Sequence, residues 1–508
     1  MATFDTLTST MGDITRLLNH GKISSVDLLN AYTSQIERHN HRGAKLHAMI
    51  SVVPENILLD IATRLDTERA QGKIRSPLHG IPFAVKDTIW TETSFGVPTT
   101  AGTFALSKTL ARENADIVQL LVDAGMIMLG KANLSELGGA KGSQNSIAGC
   151  SAAGGKTQSA YVVGGVVPED SWMGHSNPGG SSSGSAVAVA AGMTPVALGS
   201  EADGSLVLPS DRASLYSIRL SPGSVSPRGT LPFNSVSDSL GPMTKSPEDA
   251  ALMLSILLGR GDFTQHLTKS VVGLKIGFLD PVVWAPYPAA VKPNEDYTKQ
   301  YLSEFNAAVD KIEAAGAVVS RNVTLRRFGP EEDKLFASTT WRDYYNGFAD
   351  FTAGLIDPPV RTLKDLIAFN NQHCDEAMPE GTGCASQDFL EATLKNARLL
   401  TDEQQDEHGK TLRLISKVLG LDSAFEKYDL EIIAGAPTGR SASVYDTAGY
   451  PIGTLPLGYA SFNGRPFGMA ATARKGREDL IIRLMSAWEE LFGPRLPPPR
   501  LATAAASP

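Results

Sequence analysis

Three short segments of this chain place one lysine and several serines in settings suited to moving an acyl group. The first reads Gly80-Ile81-Pro82-Phe83-Ala84-Val85-Lys86-Asp87. The second is Asn177-Pro178-Gly179-Gly180-Ser181-Ser182-Ser183-Gly184-Ser185-Ala186, and the third is Gly199-Ser200-Glu201-Ala202-Asp203-Gly204-Ser205. A hydroxyl is a weak nucleophile until a neighbouring base takes its proton. None of the segments contains a histidine, so lysine is the only base they offer. Lys86 must be neutral to accept a proton, whereas a free lysine titrates near ~10.4. Burial disfavours the charged form and lowers that value, and Pro82-Phe83-Ala84-Val85 supplies apolar surroundings. Successive side chains of a strand point to opposite faces, so Asp87 is expected on the far side from Lys86.

Two other readings compete for the Gly/Ser cluster. A flexible linker is one. The cluster runs directly into Ala186-Val187-Ala188-Val189-Ala190-Ala191, and small apolar residues able to form a helix suit a packed helix entry better. The other is the G-x-S-x-G elbow of α/β-hydrolase enzymes, which Gly180-Ser181-Ser182-Ser183-Gly184 matches with Ser182 as nucleophile. That motif is short, and the chain has 48 glycines. It also requires a downstream acid and then a histidine, and His266, His373 and His408 all lie in segments without site character.

The whole set of segments resembles the amidase signature family. The resemblance rests on GIPFAVKDT, GKANLSEL, NPGGSSSGSAVAVAAG, GSEADGSLVLPS, SDSLGPM, AGYPIGTLPLG and NGRPFGM, in that order along nearly the entire chain. It implies a Ser-Ser-Lys triad. Ser205 matches the nucleophile, Ser181 the bridging serine held in a cis peptide, and Lys86 the base. The backbone N–H groups of the turn Ala202, Asp203, Gly204 and Ser205 would face the developing oxyanion, and such preorganised donors often supply the largest catalytic term. Ser182 would support the site through hydrogen bonds. The activity implied is hydrolysis of an amide C–N bond other than a peptide bond. Acyl transfer, amide synthesis, the amidase subunit of an amidotransferase and a catalytically silent relative are the alternatives.

Three positions depart from the commonest family pattern. Asp203 stands where a second glycine is usual, Val207 where an arginine is usual, and Glu201 where an aspartate is usual. A carboxylate aimed into an oxyanion hole would oppose catalysis, so Asp203 is expected to turn away and to be paired. Glu201, without the usual arginine, needs another partner.

Composition fits a large soluble enzyme. A length of 508 residues is enough for a sizeable core. The net charge of −8 argues against a polyanionic partner. The expected partner is a small-molecule amide, with no nucleic acid, no membrane and no cofactor, and with a homodimer left open. Cys150, Cys374 and Cys384 are three and widely spaced, which suggests free thiols in a reducing, cytoplasmic setting. They do not complete a zinc pattern, so no metal is expected. The N-terminus lacks a signal-peptide pattern, and no apolar run reaches ~18 residues.

The elements that must position these residues alternate between strands and helices. Residues from about Thr10 to Asn40 read as helices, with a start at Ser25-Val26-Asp27. Between 76 and 260, GIPFAVKD, MIMLGK and TPVALGSE read as strands and ADIVQLLVDAG as a helix ended by glycine. That alternation, with the resemblance, implies an α/β fold: one α/β/α unit over residues 1–494 around a large mixed sheet. Within it, 1–75 would be N-terminal helices, 76–260 the core, 260–430 a variable, mostly helical part shaping the substrate entrance, and 431–494 a return to the core. The tail 495–508 is Pro/Ala-rich and expected to be disordered. Trp341, Tyr344, Tyr345 and Phe348 cluster at roughly helical spacing. Core packing and a pocket wall both explain them, and Tyr344 and Tyr345 are kept as candidate substrate contacts. Trp172 and His175, with Met173 between them, could line the leaving-group side.

Overall fold

The computed structural model describes residues 4–502 apart from 143–146, 168–169, 287, 289 and 439. The strands are β1 (Met49–Val52), β2 (Pro82–Lys86), β3 (Ile127–Ala132), β4 (Cys150–Ser151), β5 (Gly155–Lys156), β6 (Ala197–Glu201), β7 (Tyr216–Arg219), β8 (Ser239–Thr244), β9 (Lys275–Leu279), β10 (Val318–Val323), β11 (Ile432–Gly435), β12 (Ile452–Tyr459) and β13 (Pro466–Ala473). β4 and β5 form a small hairpin. The other eleven form one mixed sheet in the order β1-β3-β2-β6-β8-β7-β12-β13-β11-β9-β10.

β2 lies between β3 and β6 and runs parallel to both. A parallel strand covered on both faces reads as a continuous apolar run, and every residue of β2 is buried. Because β2 and β6 are parallel and in register from Ala84↔Ala197 and Val85↔Leu198, their carboxyl ends emerge on the same edge of the sheet. Ligands of α/β sheets collect outside such carboxyl ends. Lys86 ends β2 and Glu201 ends β6, so the sheet alone brings the first and third sequence segments together.

The second segment is brought in by the helix Ser183–Ala190, whose residues are all buried. It packs against β2 and β6. The approach is close enough that a Cβ on Gly184 would sit 2.3 Å from the Ala48 carbonyl oxygen. At that position the helix has no room for a side chain, and the residues after it are small and buried.

β9 and β10 lie ahead of residue 330, and between 330 and 413 the chain forms the helices Pro330–Ala353, Leu363–Gln372, Asp388–Asn396 and Asp402–Arg413. Asn234 Nδ2 ties the first of these to the core by donating to Thr339 Oγ1 at 3.0 Å and Thr340 Oγ1 at 2.8 Å. The N-terminal helices are Met11–Asn19 and Ser25–His39. The second is capped one residue earlier than the sequence suggested, by Ser24, whose hydroxyl and backbone engage Asp27 reciprocally. No helix of the described residues is long and apolar enough to cross a membrane.

Two expectations are overturned. Cys150 and Cys384 form a disulfide, leaving Cys374 as the free, exposed thiol. The two are 234 residues apart in sequence, and only the docking of the helical part onto the β4–β5 hairpin makes them neighbours. The C-terminal segment is also ordered as far as Ala502, and 503–508 lie outside the described residues. Arg495 donates to the Ser214 carbonyl at 2.9 Å and to Tyr161 Oη at 2.8 Å. Arg500 donates to the Ala160 carbonyl at 3.0 Å, and Leu501 is buried. Two arginines in a Pro/Ala-rich stretch, hydrogen-bonded to core carbonyls, hold what composition alone reads as a loose tail.

Candidate active site

Lys86 Nζ donates to Ser181 Oγ at 2.7 Å and to the Ser200 carbonyl at 3.1 Å. The lysine is almost fully buried. Burial pushes its pKa down to about 7, with the Glu201 and Asp238 carboxylates opposing that shift. Its neighbour Asp87 faces the other way. It accepts the Thr100 hydroxyl and lies 3.5 Å from Lys131 Nζ, so it does not hold Lys86 in its charged form.

The peptide bond Gly180–Ser181 is cis. Ser181 accepts the Ser135 N–H on its carbonyl at 3.0 Å, and the Ser182 N–H donates to the Ser205 carbonyl at 2.9 Å. This second bond ties the serine cluster to the turn that carries Ser205. Ser182 Oγ donates to the Ser200 carbonyl at 3.2 Å. Ser182 thus locks the two turns together and does not line the cavity, which sets the elbow reading aside.

Ser205, Ser181 and Lys86 line one cavity of about 370 Å³. Its apolar wall comes from three separate parts of the chain: Phe233 ahead of β8, Phe336 and Tyr344 on the helix Pro330–Ala353, and Phe389 on the helix Asp388–Asn396. Phe233 and Tyr344 meet edge to face at 5.8 Å, and Phe233 stacks on Phe389 at 6.2 Å. Such ring pairs add to the stabilisation from area burial, so the wall is rigid.

The turn after β6 is held from behind by carboxylates. Glu201 Oε2 accepts the N–H groups of Leu206 and Val207. Asp446, on the helix Ser441–Ala448, accepts the Gly204 N–H at 3.0 Å. Both carboxylates share Arg219 at the end of β7, whose Nε lies 2.6 Å from Asp446 Oδ1 and 3.7 Å from Glu201 Oε1. The Nε–H is not aimed at either oxygen, so the attraction is one of charge and not a directed hydrogen bond. Burial and the neighbouring Glu201 push the pKa of Asp446 well up.

These contacts correct the oxyanion-hole assignment. The Gly204 N–H is committed to Asp446 and is not available to a substrate oxygen. Among the described residues no protein acceptor takes the N–H of Ala202, Asp203 or Ser205. The Asp203 side chain is paired, as expected, with Ser443 Oγ donating to its Oδ1 at 2.9 Å. Asp203 is itself one of the residues lining the cavity with Ser205. Desolvation raises the pKa of its carboxyl, with the Ser443 hydroxyl opposing.

The sequence-derived substrate contacts divide. Trp172 and Met173 line the cavity, and Tyr344 lines it while donating to the Leu137 carbonyl at 3.3 Å. His175 does not reach it. It hydrogen-bonds the Lys292 carbonyl through Nε2 at 3.0 Å and packs against Tyr297 and Phe462, and burial lowers its pKa to about 4. Tyr345 also points elsewhere, its hydroxyl accepting from Arg398 at 2.8 Å. Adjacent helical residues point about 100° apart, and that turn carries Tyr345 off the cavity that Tyr344 lines. Sequence reasoning missed Phe233, Phe389, Arg219 and Asp446. Asp446 sits two residues ahead of a recognised motif, AGYPIGTLPLG, and that proximity was the only available signal.

A family model described as Amidase matches residues 27–407. The chain belongs to the amidase family. Among its relatives, a putative amidase of Schizosaccharomyces pombe is 27% identical over 95% of this chain and 85% of its own length. A probable amidase of Arabidopsis thaliana is 28% identical over 99% and 93%. The solved structure of a native peptide amidase from Stenotrophomonas maltophilia superposes with a TM-score of 0.85 at 29% identity, covering 98% of this chain and 99% of that one. The α/β fold with its large mixed sheet is thus the amidase fold.

Proposed function

We propose that this amidase hydrolyses a carboxylic amide through an acyl-enzyme on Ser205. The observation that carries the reading is the 2.7 Å bond from a buried Lys86 to Ser181 in the cavity that Ser205 also lines. With its pKa brought to about 7, Lys86 is available as a neutral amine near neutral pH. Ser181 passes its proton to Lys86 and takes the proton of Ser205. The Ser205 oxygen then attacks the amide carbon. Backbone N–H groups of Ala202 and Asp203 receive the negative oxygen, where each well-placed donor contributes ~3 kcal/mol. Ser181 gives its proton to the leaving nitrogen as the C–N bond breaks and recovers one from Lys86, which becomes neutral again. Water enters by the same relay and releases the acid.

The aromatic wall suits an acyl part with an apolar group. The likeness to a peptide amidase supports peptide-type amides as substrates, and it weakens the expectation that such bonds are avoided. The Cys150–Cys384 disulfide favours an oxidising compartment over the cytoplasm suggested by the cysteine count. The test is mass spectrometry of the protein quenched during turnover of a panel of aliphatic, aromatic and peptide amides. An acyl adduct on the Ser205 peptide is expected. An active enzyme whose turnover survives Ser205→Ala would overturn the reading.

A further inference from the structure

The cavity around Ser205 has two unlike sides. One is the aromatic wall. The other carries Asp203, two residues before the nucleophile, with Asp333 and Arg440 nearby. Arg440 is already matched, its guanidinium gripping both carboxylate oxygens of Asp333. Asp203 is only half matched. Its Oδ1 accepts the Ser443 hydroxyl at 2.9 Å, and its Oδ2 has no hydrogen-bond partner among the described residues. The residue is exposed and lines the cavity.

An acceptor held in a partly dry site is costly when its ligand brings no donor. A site built to hydrogen-bond one group rejects the analogue that lacks it far more strongly than an apolar pocket rejects a missing methylene. Resting on the hydrolase reading above, we propose that Asp203 is a specificity-determining residue whose carboxylate accepts a hydrogen bond from an N–H donor on the acyl part of the substrate, close to the reacting carbonyl. An amine, an ammonium or an amide N–H has that chemistry. The substrate class is therefore an amide with an apolar side chain on one side of its carbonyl-bearing carbon and nitrogen on the other. Asp203 serves twice, with its backbone N–H toward the oxyanion and its side chain toward the substrate nitrogen.

The experiment compares three matched primary amides: 3-phenylpropionamide, phenylalaninamide and N-acetylphenylalaninamide. In the wild type, kcat/KM for at least one of the two nitrogen-bearing amides is expected to exceed that of the first by about tenfold or more. In Asp203→Ala that ratio is expected to fall below about threefold. The order of the two nitrogen-bearing amides, and its change in Asp203→Asn, distinguishes an ammonium from a neutral N–H. Equal kcat/KM for all three in the wild type overturns the proposal without any variant. A ratio unchanged in Asp203→Ala overturns it as well. Failure of a fluorophosphonate to label Ser205 in the wild type would instead overturn the hydrolase reading, and this proposal with it.

Discussion

Arg219 stands 3.7 Å from Glu201, with both side chains fully buried. Here β7 supplies the cation that the commonest family pattern places two residues after the nucleophile, where this chain has Val207. The same guanidinium also faces Asp446, so one positive charge holds two carboxylates that between them grip three N–H groups of the nucleophile turn. The departure at Val207 is therefore compensated from a different strand.

Removing that cation leaves two buried carboxylates facing each other. Arg219→Met is expected to destabilise the fold by ~3–5 kcal/mol, and any folded fraction should show a lower kcat because the turn loses its support. Chemical denaturation and steady-state kinetics check both. A variant as stable and active as the wild type would show that the arginine contributes nothing to the turn.

The proposed proton relay acts as a unit. Ser205→Ala, Ser181→Ala and Lys86→Met should each lower kcat by several orders of magnitude, and the double variants should be scarcely worse than the singles. Fluorophosphonate labelling should vanish in Ser205→Ala. Multiplicative losses in Ser181→Ala/Lys86→Met would break the relay.

The pH dependence follows from the lowered pKa of Lys86. Activity needs the neutral amine, so kcat/KM should rise with pH through an apparent pKa of about 7 and level off above it. Stability carries a linked signature. Between about 7 and the ordinary lysine value the unfolded chain binds a proton that the folded chain does not, so this group's contribution rises with pH and is lost as pH falls toward 7. Lys86→Met, which keeps volume and removes the charge, should therefore raise Tm most at pH 7 and below, with the gain shrinking toward pH 10. A pH-independent difference in Tm would contradict a depressed lysine.

Much of this site is legible in the sequence because each part obeys a local rule. Lys86 ends an unbroken apolar run, and the strand period turns Asp87 away from it. The Gly/Ser cluster opens a helix of small residues, whose Gly184 lies too close to the Ala48 carbonyl for any side chain. What was not legible is long-range. Gly204 and Asp446 are 242 residues apart and Cys150 and Cys384 are 234 apart, and no periodicity or turn chemistry links such pairs. His175 and Tyr345 failed for a different reason. Residue type and proximity to a motif say that a side chain is near a site, not which way it faces.

The disulfide gives a direct chemical test. Denatured without reductant, the protein should show one titratable thiol, Cys374, and three after reduction. Cys384→Ser should lower stability by ~2–4 kcal/mol. It should also raise KM more than it lowers kcat, because Cys384 lies five residues before Phe389 of the cavity wall. Three titratable thiols before reduction would remove the link.

Asp446 also bears on when the enzyme becomes active during its synthesis. Lys86, Ser181 and Ser205 leave the ribosome early and in that order, and the aromatic wall follows by Phe389. The carboxylate that fixes the Gly204 N–H arrives only with residue 446, and β12 and β13, which carry the sheet on beyond β7, arrive later still. A nascent chain of some 430 residues therefore holds every reacting group, and Glu201 beneath the turn, while the Gly204 N–H still lacks its acceptor. Full support of the nucleophile turn is deferred until 242 residues after Gly204 have been made.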